Sequence, residues 1–190
     1  MTAPNVAAGR AWVLPVLSLL GLAALVFAVL LGLDYSRQAT AAQRSLDAQR
    51  RIAGLLSTLQ DAQLGQRGFL LTSEPRYLQP YRAARQELPD GLAAARASLN
   101  DEPEQRAALA RLEQASVGLL EELAQTVALH RDGRAAAAMA LVRSDRGQSL
   151  MNDARAAASF ISRAEDRSLA ARERERVRAA MATSRIAVTA

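Results

Sequence analysis

DAQLGQRGFLLTSEPRYLQPY, residues Asp61–Tyr81, is the stretch on which the reading of this chain turns. Ahead of it, Ile52, Leu55, Leu56, Leu59 and Ala62 recur at the spacing of a helix with one buried face. Phe69, Leu70 and Leu71 close that pattern. Thr72 or Ser73 is then placed to cap a new helix, with Pro75 in its first turn and Glu74 favoured by the helix dipole. Tyr77, Leu78, Tyr81, Leu88, Leu92, Ala95 and Leu99 resume the apolar spacing beyond. The stretch is therefore a corner between two amphipathic helices. Gly65 and Gly68 precede it within a helix, where each costs up to about 1 kcal/mol relative to Ala. Two glycines flanking Gln66 and Arg67 point to the close approach of another backbone, or else to a loosened helix end.

Composition agrees with a helical chain. Half of the 190 residues are apolar, only 4% are aromatic, and Ala is abundant. This is the make-up of long helices packed through small side chains, not of a sheet-built enzyme. With no Cys, neither a disulfide framework nor a thiolate metal site can form. All 24 basic residues are Arg, and the net charge is +5. The Arg residues are interspersed with Glu and Asp along helical segments, which describes solvated faces, so no nucleic-acid partner is expected.

Residues 1–10 form a polar leader, expected on the cytoplasmic side. From Ala11 to Leu33 no charged residue occurs. At 1.5 Å per residue that run can cross a hydrocarbon core of ~30 Å, so 11–33 is expected as a transmembrane helix with the lipid bilayer as its partner. Trp12 at one end, and Asp34, Tyr35 and Arg37 at the other, suit the two interfaces. Ala24, Ala28 and Gly32 fall four apart, a small-residue seam through which two such helices can associate. The competing reading is a signal peptide cleaved near Ala39-Thr40-Ala41, although signal cores are shorter, about 7–15 residues. Arg37, Arg44, Arg50 and Arg51 follow the span and oppose an outside placement by charge alone, but long domains translocate largely regardless of charge.

The remainder, 34–178, reads as four helical segments and one short helix. The first covers about Ala39–Leu71 and continues the membrane helix. The second covers about Pro75–Leu99 with Pro89 inside it. The third carries Leu109, Leu112, Leu119, Leu120, Leu123 and Val127 and ends near Asp132-Gly133. A short helix follows from Arg134 to Arg143. The last starts near Gln148, with Leu150, Met151, Ala154, Ala158 and Ile161 on its buried face. Short connections between long helices predict an all-α, antiparallel up-down four-helix bundle. Residues 179–190 turn apolar again and read as the start of a second transmembrane helix that is cut off, or as a frayed terminus.

Catalytic signals are missing from the sequence. His130-Arg131-Asp132 superficially matches a kinase catalytic loop, but Ala137 stands where its Asn is required and there is no Gly-rich phosphate loop. Glu121 and Glu122 are adjacent and so face different sides of a helix. No cofactor, metal site or enzymatic activity is expected of this chain. Arg67, Arg82, Arg85 and His130 are the residues able to line a site for an anionic ligand.

The run Gly65-Gln66-Arg67-Gly68-Phe69-Leu70-Leu71-Thr72, followed by Tyr77-Leu78, Pro80 and Tyr81, resembles the signature of a CHASE domain of the third class. Related features recur in Leu141-Val142-Arg143-Ser144, Gly147 and Leu150-Met151-Asn152, so the resemblance covers roughly Leu46–Arg172. Gln63 stands where that family usually has Glu, which removes the acid from any ion pair made there, and Ser73 where Gly is common, which alters the turn. The resemblance implies an extracytoplasmic four-helix sensory module of a bacterial inner-membrane receptor. It implies also an unknown extracytoplasmic signal and a cytoplasmic output domain absent from this chain, such as a histidine kinase or a nucleotide cyclase; a homodimer is expected because the first and fourth helices run into the two spans. A membrane-anchored scaffold with no ligand, or a soluble periplasmic bundle, are the readings that compete with it.

Overall fold

The computed structural model describes residues 13–99 and 102–189, with side chains described outside 13–17, 20, 30–42, 180 and 182–189. Every element among the described residues is helical: α1 (Val13–Thr72), a 3-10 turn (Pro75–Leu78), α2 (Gln79–Ser98), α3 (Pro103–Arg131), α4 (Ala135–Arg143) and α5 (Arg146–Thr189). The leader 1–10, with Ala11, Trp12 and Ala190, lies outside the described residues. The chain divides into two compact units, Met1–Gln43 and Arg44–Ala190, each considered by itself.

The second unit is a helical bundle whose core takes one stripe from each long helix. Ile52, Leu55, Leu59 and Ala62 come from α1, and Ala84, Leu88, Leu92 and Ala95 from α2. Leu109, Leu112, Leu119, Leu123 and Val127 come from α3, and Met151, Ala154, Ala158 and Ile161 from α5. Each set repeats every three or four residues, which keeps it on one side of its helix. Neighbours run in opposite directions. Ser45 of α1 donates to Glu165 of α5 (2.5 Å), Gln49 to Asp166 (2.7 Å), and Gln63 further along α1 donates to the carbonyl of Gly147 (3.3 Å). Arg96 of α2 pairs with Glu113 of α3 at 2.9 Å, an exposed pair that contributes little.

The corner after α1 departs from the sequence expectation. Thr72 does not cap the following helix; its hydroxyl closes α1, donating to the Gly68 carbonyl (2.8 Å) and accepting from the Glu74 N–H (3.2 Å). The Ser73 backbone is left-handed at φ 58°, the conformation Gly adopts without penalty, and its N–H bonds to the Phe69 carbonyl (2.8 Å). With the hydroxyl so used, Pro75–Leu78 forms a 3-10 turn with no side-chain cap, and α2 begins only at Gln79. The turn lies directly on α1. The carbonyl of Tyr77 occupies the space a Cβ on Gly65 would need, and a Cβ on Gly68 would stand 2.7 Å from Tyr77 Cδ1. Tyr77 thus spreads its ring over Gly68 and stays 38% exposed instead of entering the core, as its spacing suggested. At the far end of α3, Gly133 at φ 73° ends the helix and the Arg134 N–H reaches back to the Leu129 carbonyl (2.9 Å). The last helix starts at Arg146, two residues before the expected Gln148.

In the first unit, Leu19, Leu22, Leu25, Val26, Phe27 and Val29 project from α1 with half or more of their surface uncovered. Ala24 and Ala28 are exposed too, while Gly32 falls among residues whose side-chain surroundings are not described. Among the described residues, no helix is long and apolar enough to cross a membrane. The uncharged run 11–33 starts before those residues, and the side chains of 30–33 are not described.

Gly65→Ala tests the corner. At an open helical site the change would gain up to about 1 kcal/mol. Against an immovable carbonyl it is expected to cost about 1–3 kcal/mol, the usual range for overpacking. Urea unfolding of the two proteins measures the difference, and an equal or higher midpoint for the Ala variant would show that the turn does not sit on α1.

Candidate functional site

Where α1 ends and α5 begins, the bundle forms a half-open cavity of about 300 Å³. Its walls are Gln63, Gln66, Arg67, Leu70 and Leu71 of α1, Glu122 and Leu123 of α3, Met139 and Val142 of α4, and Asp145, Gly147 and Gln148 at the start of α5. The fold thereby joins the 65–72 run to the later run containing Val142 and Gly147, some seventy residues apart in sequence. Gly147 makes the junction possible. A Cβ there would lie 2.7 Å from Oε2 of Glu122, so only a bare Cα lets the carboxylate reach the first turn of α5. That turn is the positive end of the helix dipole. Gln63 completes the contact through its amide donation to the Gly147 carbonyl, a bond a carboxylate at position 63 could not make.

Two polar side chains in this wall are buried. Glu122 is 4% exposed, and burial pushes its carboxyl above the ordinary value of 4.5, against the opposing influence of Arg146, the Thr126 hydroxyl and Arg67. The Thr126 hydroxyl donates to the main-chain carbonyl of Glu122 at 2.9 Å. Gln66 is 3% exposed, and its amide nitrogen has no hydrogen-bond partner among the described residues. An unpaired buried amide costs roughly 1–3 kcal/mol. Leu70, Leu123, Met139 and Val142 share the lining with them, so the cavity combines apolar side chains with a few polar groups, the usual composition of a small-molecule site. A wider groove of about 480 Å³ between α3 and α5, lined by Arg111, Asp153 and Arg163 among others, contains no such buried unpaired group. Among the described residues, no three His, Asp or Glu side chains stand together to hold a metal ion.

The residues singled out from sequence divide between this cavity and the corner. Arg67 lines the cavity with an exposed side chain. His130 lies elsewhere: its Nε2 is 2.9 Å from the Ser73 hydroxyl, and its ring meets the Phe69 ring edge-on at 5.1 Å. The Arg131 guanidinium lies 5.7 Å from the same Phe69 ring. His130 therefore ties the last turn of α3 to the corner. Arg82 and Arg85 are exposed on α2 and line no part of the cavity; Arg85 lies 5.8 Å from the Tyr81 ring. Leu78 is buried, Pro80 packs against Gly65, and Leu71 is 85% exposed at the rim. Glu122 was missed as a site residue, yet its register held a signal. Ala108, Leu112, Ala115, Leu119, Glu122 and Thr126 form one helical stripe, with an acid in a position otherwise given to small or apolar residues.

Because folding raises the Glu122 pKa, the native state holds that proton more tightly than the unfolded chain does. The stabilising contribution is complete below pH 4.5 and is lost as pH climbs through the raised native value. Glu122→Gln removes the titration. Urea unfolding at a series of pH values is expected to show the wild type losing stability relative to Glu122→Gln as pH rises above 4.5. A constant difference would mean that the carboxyl titrates alike in both states.

The CHASE3 domain family matches residues 38–175 of the chain. Among solved structures, the crystal structure of the Rhodopseudomonas palustris histidine kinase HK9 sensor domain is similar, with 29% identity and a TM-score of 0.58. The match covers 64% of this chain and 95% of that one. No curated protein matches the sequence. With the family match spanning most of the sequence, the chain belongs to the CHASE3 domain family, the non-catalytic extracytoplasmic sensory input modules.

Proposed function

We propose that this sensory module is anchored in a bacterial inner membrane through residues 11–33, with 1–10 in the cytoplasm and 34–178 outside as an up-down four-helix bundle. Residues 179–190 begin a second membrane segment leading to a cytoplasmic output domain of histidine kinase or cyclase type. The observation that carries the anchoring is the first unit's surface. Six large apolar side chains between Leu19 and Val29 are at least half uncovered, and a helix that is apolar all round belongs in a bilayer or against other helices. The similarity to a histidine kinase sensor domain supports the choice of output.

Transmission follows from what ties α1 to α5 in the bundle. Ser45 and Gln49 of α1 bond to Glu165, Ser162 and Asp166 of α5, and the Ser45–Glu165 bond is buried. A sliding displacement of one helix past the other must exchange that bond for another, which favours two discrete arrangements over a continuum. A signal acts by binding one arrangement more tightly. In the homodimer, Ala24, Ala28 and Gly32 form the membrane seam.

Two measurements test this reading. A reporter active only outside the cytoplasm, fused after Asn100, is expected to be active, and a cytoplasm-only reporter at the same site silent; the reverse pattern overturns the orientation. Single cysteines placed at successive positions from Ala23 to Gly32 meet no background in this cysteine-free chain. Disulfide crosslinking in membranes should peak at Ala24, Ala28 and Gly32 with helical period, and a flat profile would remove the dimer seam.

A further inference from the structure

The cavity between Gln66 and Glu122 carries an inference about what the module senses, and it rests on the sensory reading above. Three observations bear on the ligand. The first is the amide nitrogen of Gln66, a buried donor without a partner among the described residues, in want of an acceptor. The second is the Glu122 carboxyl, buried in the lining of the same cavity and given room by the bare Cα of Gly147. The third is charge. Arg67 and Arg146, the two cations that act on Glu122, are matched by Glu122 and Asp145. A ligand with a net charge would give up part of its hydration against the buried Gln66 and Glu122 with no dominant opposite charge to offset the loss, which is costly. A volume of about 300 Å³ lies at the small end of ligand sites, and Leu70, Leu123, Met139 and Val142 offer an apolar wall for a short tail.

We infer that the cavity is the sensory binding site, and that it takes a small uncharged amphiphile bearing an adjacent hydrogen-bond acceptor and donor, a primary amide or a hydroxyl, on a short aliphatic chain. The acceptor meets the Gln66 amide, the donor meets the Glu122 carboxyl, and the chain lies along Leu70, Met139 and Val142. Charged relatives of the same size meet only half of this arrangement: a carboxylate offers no donor to Glu122, and an ammonium offers no acceptor to Gln66.

The methionines make the test direct. Met139 lines the cavity, Met151 is buried in the core, and Met181 lies far along α5. The full chain, labelled with 13C at its methionine methyl groups and held in lipid nanodiscs, is titrated with pentanamide, pentanoate or pentylammonium while the methyl resonances are followed by NMR. Pentanamide is expected to shift the Met139 resonance saturably and leave Met181 unmoved, with the two ions binding roughly tenfold more weakly or not at all, the difference one hydrogen bond to a buried group makes. Gln66→Leu removes the unpaired donor. It is expected to melt higher than the wild type and to lose the pentanamide response. The inference is overturned if Met139 shows no saturable shift with pentanamide, if either ion binds as tightly, or if Gln66→Leu binds as the wild type does. The titration reads binding alone. A failure here with the reporter pattern intact refutes the ligand and leaves the sensory role standing, whereas a reversed reporter pattern refutes the membrane topology whatever the titration gives.

Discussion

Close approach between helices that carry few large side chains is the constraint on which this bundle depends. With three Phe, three Tyr and one Trp in 190 residues, the core cannot be filled by aromatic rings, and the helices must come near enough for Ala and Leu to fill it. Glycine stands at several of the close contacts. Leu55 of α1 fits against Gly91 of α2, Leu150 of α5 against Gly118 of α3, and Tyr77 against Gly65 and Gly68. Interiors packed this densely have little room to deform, so relative motion of the helices takes the form of exchange between packed arrangements.

Against that background the buried polar residues stand out. Glu122, Glu165, Gln66 and Gln105 are all at most 4% exposed within otherwise apolar stripes. Each costs desolvation that an apolar residue would not. Glu165 is satisfied by Ser45 across the α1–α5 contact. Gln105 and Gln66 keep unpaired amide atoms among the described residues. Polar groups placed so expensively fix the register of one helix against the next, because only one alignment brings Ser45 to Glu165 and Gly147 to Glu122. The same groups that weaken the core give it a preferred alignment and something for a ligand to complete.

The helical class, the core stripes and the corner were legible because a period of three to four residues survives in any single helix. Ile52, Leu59, Leu88, Leu112 and Ile161 are all buried as their spacing required. What escaped was chemistry that depends on another segment. The Thr72 hydroxyl had equal claim to end one helix or start the next, and only the Gly68 carbonyl within reach decides it. Tyr77 had the spacing of a core residue but was drawn to the bare surface of Gly68. The cavity was less legible still. Charge in the sequence points to Arg67, Arg82, Arg85 and His130, whereas the cavity's buried polar members are Gln66 and Glu122, the latter set against the Gly147 turn. The acid's place in the α3 stripe was visible; its partner was not.

The wall formed by α4 has one more consequence. Nine residues make a helix well below the length at which helices persist alone in water, and Ala138 is its one buried residue. Its folding therefore leans on what it covers. Such a segment opens locally at far lower cost than the bundle as a whole. Occupying the space beneath Met139 and Val142 adds the contacts that α4 lacks, so the ordering of this short helix and the affinity for whatever lies under it are one equilibrium. Amide hydrogen exchange in α4 would then report occupancy of the cavity before any of the four long helices has moved.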